Sequence, residues 1–248
     1  MSEFNLPTEM VELPSKGLAY PEGHPLREGK VEVKYMTAKE EDILTNQSYI
    51  EKGTVLDKLL ESVVVSKINI KDLIIGDKNA LLIATRILGY GKDYSFSYMG
   101  ESYDVDLSTL ENKEIDESLL SEGNKFFYTL PNSNIDITFK ILDGHDETKI
   151  EKEIQGLKKI NKNASPELST RLKYIITSIN GDSESRTIRN FVENNFLARD
   201  SRSLRNHIKE VQPDVDLTYI TDSNEEITIP IGISFFWPDY WYNLPSKT

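Results

Sequence analysis

With 248 residues and a formal net charge of −12, the chain is long enough to bury a sizeable core and too acidic for a general nucleic-acid binder, whose phosphate contacts need a basic surface. Hydrophobic residues at 38% and charged residues at 28% exclude a disordered chain, and no apolar run approaches the ~20 residues that span a bilayer. The lack of cysteine excludes disulfides and thiolate metal sites; Met1-Ser2-Glu3-Phe4-Asn5 has neither the basic start nor the apolar core of a signal peptide, so the expectation is folding in the cytosol.

The chain opens on an arm broken by Pro7, Pro14, Gly17, Pro21, Gly23, Pro25 and Gly29, extended or looped and ordered only where something packs on it. Leu13, Leu18 and Tyr20 are its candidate anchors. Val31, Val33 and Tyr35 alternate with Glu32, Lys34 and Met36, as in a half-buried strand. Thr37 followed by Glu40 makes a capping box, and Glu41 and Asp42 add negative charge to the first helical turn. Thr54 opens a second helix with Val55, Leu56, Leu59, Leu60, Val63 and Val64 on one face. Asp77 opens a third, which runs through Leu88 and ends at Gly89.

From Asp93 the period changes. Tyr94, Phe96 and Tyr98, then Tyr103, Val105 and Leu107, alternate with polar residues around Met99-Gly100-Glu101, the pattern of a β-hairpin. Glu111 to Glu122 reads as an acidic surface loop. Two strands follow, Phe126 to Tyr128 and Ile135 to Ile141, joined at Pro131-Asn132-Ser133-Asn134. Three helices are lined by Ile150, Ile154, Leu157 and Ile160; by Leu168, Leu172, Ile175, Ile176 and Ile179; and by Ile188, Phe191, Val192 and Phe196. Asp200 or Ser201 caps a short fourth ending near Val211. Leu217 and Tyr219, then Ile227 to Ile233, return to strand around Ser223-Asn224. The fold class expected is α+β: residues 1–92 form a proline-rich arm plus a strand and an α-helical unit, and residues 93–248 form a β-rich domain with a helical insertion at about 145–211.

Several phrases resemble a known family: Leu13-Pro14-Ser15-Lys16-Gly17, Lys34-Tyr35-Met36-Thr37-Ala38-Lys39-Glu40-Glu41-Asp42-Ile43-Leu44-Thr45-Asn46-Gln47, Lys52 to Leu60, Leu73-Ile74-Ile75-Gly76-Asp77-Lys78-Asn79, Arg199 to Arg205 and Pro213-Asp214-Val215-Asp216. In order and spacing they resemble the baseplate hub subunit or hub assembly chaperone family of T4-type contractile-tail bacteriophages, over most of the chain and most densely before Gly91. The resemblance implies a virion tail protein without catalytic residues or cofactors, partnered by other baseplate, hub and tail proteins. It implies assembly in the host cytoplasm, and it covers both a subunit that stays in the tail and a chaperone that leaves. Some relatives carry a Cys-x-x-Cys zinc knuckle at the hairpin. Phe96 and Met99 stand at those positions, which implies no metal and aromatic packing in its place.

Read for chemistry alone, the chain has no Gly-x-Ser-x-Gly elbow, no phosphate-cradling loop and no His-Glu-x-x-His. Gly89-x-Gly91 follows a helix rather than a strand, the wrong context for a dinucleotide turn. Adjacent acids such as Glu225-Glu226 point to opposite faces of a strand, a poor pair for one substrate. Asp143-Gly144-His145-Asp146 is the one metal-like cluster, so a metal-dependent hydrolase centred on Asp143, His145 and Asp146 is the alternative reading; its ordinary role is a strand-to-helix turn. His24 and His207 read as surface residues.

Six of eight arginines fall at Arg171, Arg186, Arg189, Arg199, Arg202 and Arg205, a locally positive stretch that suits either solvated helix faces or an acidic partner, with a nucleic-acid adaptor as a further alternative. Finally, Phe235-Phe236-Trp237-Pro238-Asp239-Tyr240-Trp241-Tyr242 either closes the core or exposes an interaction anchor. The candidate partner-binding residues are therefore Leu13, Leu18, Tyr20, Arg202, Arg205, Phe236, Trp237, Tyr240 and Trp241.

Overall fold

The computed structural model describes residues 6–161 and 165–236. The arm enters it as a strand: β1 (Thr8–Glu12) runs antiparallel to β2 (Lys30–Lys34), with Val11 opposite Val31. Between them the prolines and glycines turn the chain back on itself. Leu13 is 1% exposed and Tyr20 5%, while Leu18 is half-buried against the same core. This corrects the expectation for Leu13 and Tyr20, which are covered by their own chain and present no surface to a partner.

Four helices follow: α1 (Ala38–Leu44), α2 (Gln47–Glu51), α3 (Val55–Val63) and α4 (Ile75–Tyr90). α3 buries Val55, Leu59, Leu60 and Val63, the helical spacing read from the sequence. The single-turn α2 was not expected; the Asn46 side chain caps it by accepting from the Tyr49 N–H. α4 begins two residues before Asp77 and passes through Gly89 to end at Gly91. Gly89 serves packing instead of termination, because a Cβ there would lie 2.7 Å from the Met36 sulfur.

β3 (Asp93–Tyr98) and β4 (Glu101–Asp106) form the expected hairpin, with Phe96 opposite Tyr103. Met99 and Gly100 have φ of 50° and 88°, the left-handed pair that a two-residue turn of this twist requires. Phe96 packs among Tyr94, Tyr103 and Tyr219, whereas Met99 is 85% exposed and takes no part in that packing.

The second half contains α5 (Gly144–Ile160), α6 (Glu167–Ile175), α7 (Ser185–Asn194) and α8 (Ala198–Val211). It also contains a sheet in the order β5 (Phe126–Thr129), β6 (Asp136–Phe139), β7 (Ile176–Ile179). The expected second helix stops at Ile175, and Ile176 and Ile179 belong to β7 within the expected helical insertion. The run Ile175-Ile176-Thr177 is β-branched, and β6 offers it an open edge. β8 (Thr218–Ile220) pairs with β9 (Glu226–Thr228), which ends before Pro230, and Ile233 falls in a 3-10 turn (Ile233–Phe236). The architecture is α+β, with small sheets dispersed among helices.

One apolar core runs from Leu13 to Phe236 and crosses position 92/93 without interruption. Each fully buried leucine in it contributes roughly 2–3 kcal/mol by leaving water. At its centre Asp77 is 0% exposed. Oδ1 accepts from the Ser15 N–H at 2.9 Å; Oδ2 accepts from the Ser15 hydroxyl at 2.7 Å and the Tyr20 hydroxyl at 2.6 Å. One residue earlier, Gly76 lies so close to the far end of the chain that a Cβ would sit 1.9 Å from the Pro213 carbonyl oxygen. Asn79 Nδ2 donates to Asp214 Oδ1 at 3.0 Å.

The start of α4 therefore fixes both the arm and the segment after α8. Asp77→Ala strands three buried donors and is expected to cost about 3–5 kcal/mol in urea unfolding, with faster tryptic cleavage at Lys16; wild-type stability in that variant would refute the assignment. Gly76→Ala is expected to cost about 1–3 kcal/mol by overpacking against Pro213.

Candidate functional site

The buried acids are bracketed by their own chain. Glu40 is 0% exposed. It accepts from the Thr37 N–H and hydroxyl at 2.8 and 2.6 Å, the Ser62 hydroxyl at 2.6 Å and the Lys34 ammonium at 3.1 Å. Burial disfavours its charge, but these donors prevail and hold the carboxyl at about 2. At Asp77 burial prevails and pushes the carboxyl up, and the same burial beside Asp77 keeps the Tyr20 hydroxyl a donor.

Asp200 and Ser201 do not cap α8, which starts at Ala198. Asp200 accepts instead from the Asn132 N–H and Nδ2 and from the Ser133 N–H, at 2.8–3.0 Å, and so holds the β5–β6 turn.

The metal-like cluster is a helix cap. Asp143 Oδ1 accepts from the Asp146 N–H at 2.8 Å, and Asp146 pairs with Lys140 at 2.6 Å. His145 turns elsewhere, its Nε2 lying 2.8 Å from Asp72 Oδ1. The three residues do not converge on a point, and among the described residues no group of three or more His, Asp or Glu is placed to hold a metal ion. His24 also reaches Asp72, at 3.2 Å from Oδ2, while its Nδ1 accepts from the Leu26 N–H. His24 and His207 are half-buried rather than free on the surface, stacked on Tyr20 and Tyr128 respectively.

The aromatic segment divides. Phe235 and Phe236 are 1% exposed, Phe235 packs edge-on against Tyr94, and Arg86 Nε donates to its carbonyl at 2.9 Å. Phe236 is thus core and not an anchor for a partner. Trp237, Tyr240 and Trp241 lie outside the described residues.

The arginines also divide. Arg171 grips Glu147 with two bonds of 2.6 and 2.8 Å, and Arg189 grips Glu153 with two of 2.7 and 2.8 Å. Arg189, with Tyr174 and Lys173, holds the Glu153 carboxyl at about 2 despite its partial burial. Arg202 and Arg205 point to solvent from α8, together with Arg199 and Lys209, and none of the four has a carboxylate partner among the described residues. Arg199, read within the arginine-rich stretch, was left out of the candidate contacts because the helix was expected to begin at Asp200 or Ser201, and Lys209 was left out although the expected helix contained it. The spacing 199, 202, 205, 209 was the available signal.

Elsewhere, an open groove of about 490 Å³ beside β4 and β8 is lined by Asp104, Asp106, Glu111 and Asp216, with Tyr219 and Ile220. Lys92 and Ser108 hold the Asp106 carboxyl at about 2, so it stays ionised at neutral pH. The exposed basic stripe of α8 and the acidic lining of this groove thus belong to different elements.

Among the described residues no helix is long and apolar enough to cross a membrane. Comparison with protein-family models, curated proteins and solved structures finds no match to this chain.

Glu40 keeps its charge in the fold but binds a proton more readily when unfolded, at about 4.5 against about 2. Its contribution is therefore complete above the higher value and lost as the pH falls toward the lower. Glu40→Gln is expected to be about 3 kcal/mol less stable at neutral pH and to show a shallower loss between about pH 5 and 2; identical acid-unfolding curves would refute this. His145→Ala is expected to lower stability by less than about 1 kcal/mol, with zinc or manganese shifting the unfolding midpoints of variant and wild type equally. A metal-dependent rise in the wild type alone would contradict the capping role.

Proposed function

We propose that this chain is a non-enzymatic assembly protein of a contractile phage tail, acting at the baseplate hub through protein–protein contacts. The observation that carries the reading is where the buried acids lie. Among the described residues four of the five buried acids, Glu40, Asp77, Asp200 and Asp214, fall in the segments that resemble the hub family, Asp146 being the exception, and each of the four accepts bonds from the protein's own backbone, hydroxyls, amides or, at Glu40, Lys34. Carboxylates saturated in this way hold distant segments together and are poor general acids or bases, because their lone pairs are already engaged.

On this reading the resembling segments build a rigid body and its outer faces do the binding. Burial of Leu13, Tyr20 and Phe236 removes them from the candidate partner contacts, leaving Leu18, Arg202 and Arg205 among the described ones. The expected setting is the host cytoplasm during assembly, and the tail baseplate if the protein is retained.

The test is affinity capture of the tagged full chain from infected cells, with mass spectrometry of the captured proteins and of purified virions. Co-purification with baseplate hub proteins is expected. Its presence in virions would mark a retained subunit, and its restriction to assembly intermediates would mark a departing chaperone. Capture without any tail protein, or substrate turnover by the purified chain, would overturn the proposal.

A further inference from the structure

We propose that the solvent face of α8 is a docking surface for an acidic patch on a partner protein, contacted through Arg199, Arg202, Arg205 and Lys209. This rests on the assembly reading and names the chemistry of the surface that such a partner presents. The four side chains are three or four residues apart on one exposed helical face about 15 Å long. The buried face of the same helix carries Asp200, Ser201, Leu204 and Val211, so the basic face cannot turn inward.

Helix stability favours Lys209, in the last turn, but does not account for Arg199 and Arg202. Arg199 stands in the first turn and Arg202 in the second, next to the positive end of the helix dipole, where acids are favoured and cations disfavoured. Nor are they neutralised internally as Arg171 and Arg189 are. Arg205 donates its Nε to the Ser201 carbonyl at 3.3 Å, which steers the side chain while leaving its terminal nitrogens available. Three guanidiniums in a row suit bidentate carboxylate recognition.

The extent of the surface favours a protein over a nucleic acid. A duplex carries one charge about every 1.7 Å along its axis and continues past a 15 Å stripe, where it would meet a chain of net charge −12. A compact acidic patch matches the stripe and stops with it.

The proposal is tested by fluorescence anisotropy of the full chain with a labelled polyglutamate peptide and, separately, a labelled DNA duplex. Polyglutamate is expected to bind, more weakly as salt rises, and Arg199→Glu/Arg202→Glu/Arg205→Glu is expected to weaken binding about tenfold or more. These side chains are exposed, so the triple variant should keep the wild-type unfolding midpoint. If it does not fold, the single Arg202→Gln carries the test, with a smaller loss expected. Failure of the wild type to bind polyglutamate, equal binding by the variant, or tighter binding to the duplex would overturn the proposal. In capture from infected cells, hub proteins retained equally by wild type and triple variant would remove the role of α8 and leave the assembly reading standing. Hub proteins retained by neither would remove the assembly reading, while the polyglutamate titration still decides the chemistry of α8.

Discussion

A carboxyl group with no access to water sits at the start of α4, and the arrangement of the rest of the chain follows from satisfying it. An interior acid is costly unless donors reach it. At Asp77 those donors come from Ser15 and Tyr20, sixty-two and fifty-seven residues away along the chain. The bonds give a proline- and glycine-broken arm one position, which apolar contact alone would specify less sharply. Because Gly76 simultaneously admits the Pro213 carbonyl, the arm and the segment after α8 are referred to a single helical turn.

The same device recurs. Ser62 reaches Glu40 across twenty-two residues, Asn132 reaches Asp200 across sixty-eight, and Asn79 reaches Asp214 across one hundred and thirty-five. Each bracket is wiring within one fold, with the acid placed where a chain reversal or a distant loop supplies N–H and O–H donors. The basic face of α8 shares its helix with one of the brackets while pointing the other way.

Local chemistry was legible where a residue's partners lie close in sequence. The Thr37–Glu40 cap, the Met99-Gly100 turn, the apolar face of α3 and the Asp143–Asp146 cap all close within a few residues, and the structure contains each of them. Long-range partners decided the rest. Ile176 reads as a helical position until β6 offers an edge, and Asp200 reads as a cap until the Asn132 turn arrives. Tyr20 reads as an anchor open to a partner protein until Asp77 of its own chain is found to take its hydroxyl. Of the candidate surface, Arg202 and Arg205 were visible from charge density alone. Its full length depended on knowing that α8 begins one turn earlier, at Ala198.

Charge separation gives this architecture its consequence for recognition. Had the arginines of α8 been paired internally, as Arg189 is with Glu153 and Tyr174, their fields would be cancelled within a few ångströms. Left unpaired on a chain of net charge −12, they make the molecule a dipole in addition to an anion. A dipole is oriented by an approaching charged surface before contact, over about a Debye length of 8–10 Å at physiological salt, and wrong orientations bring like charges together. That steering is useful only if the face is held rigidly with respect to the rest of the molecule. Asp200 supplies that rigidity, because the turn of α8 that displays Arg199 and Arg202 outward is bonded inward through Asp200 to the β5–β6 turn.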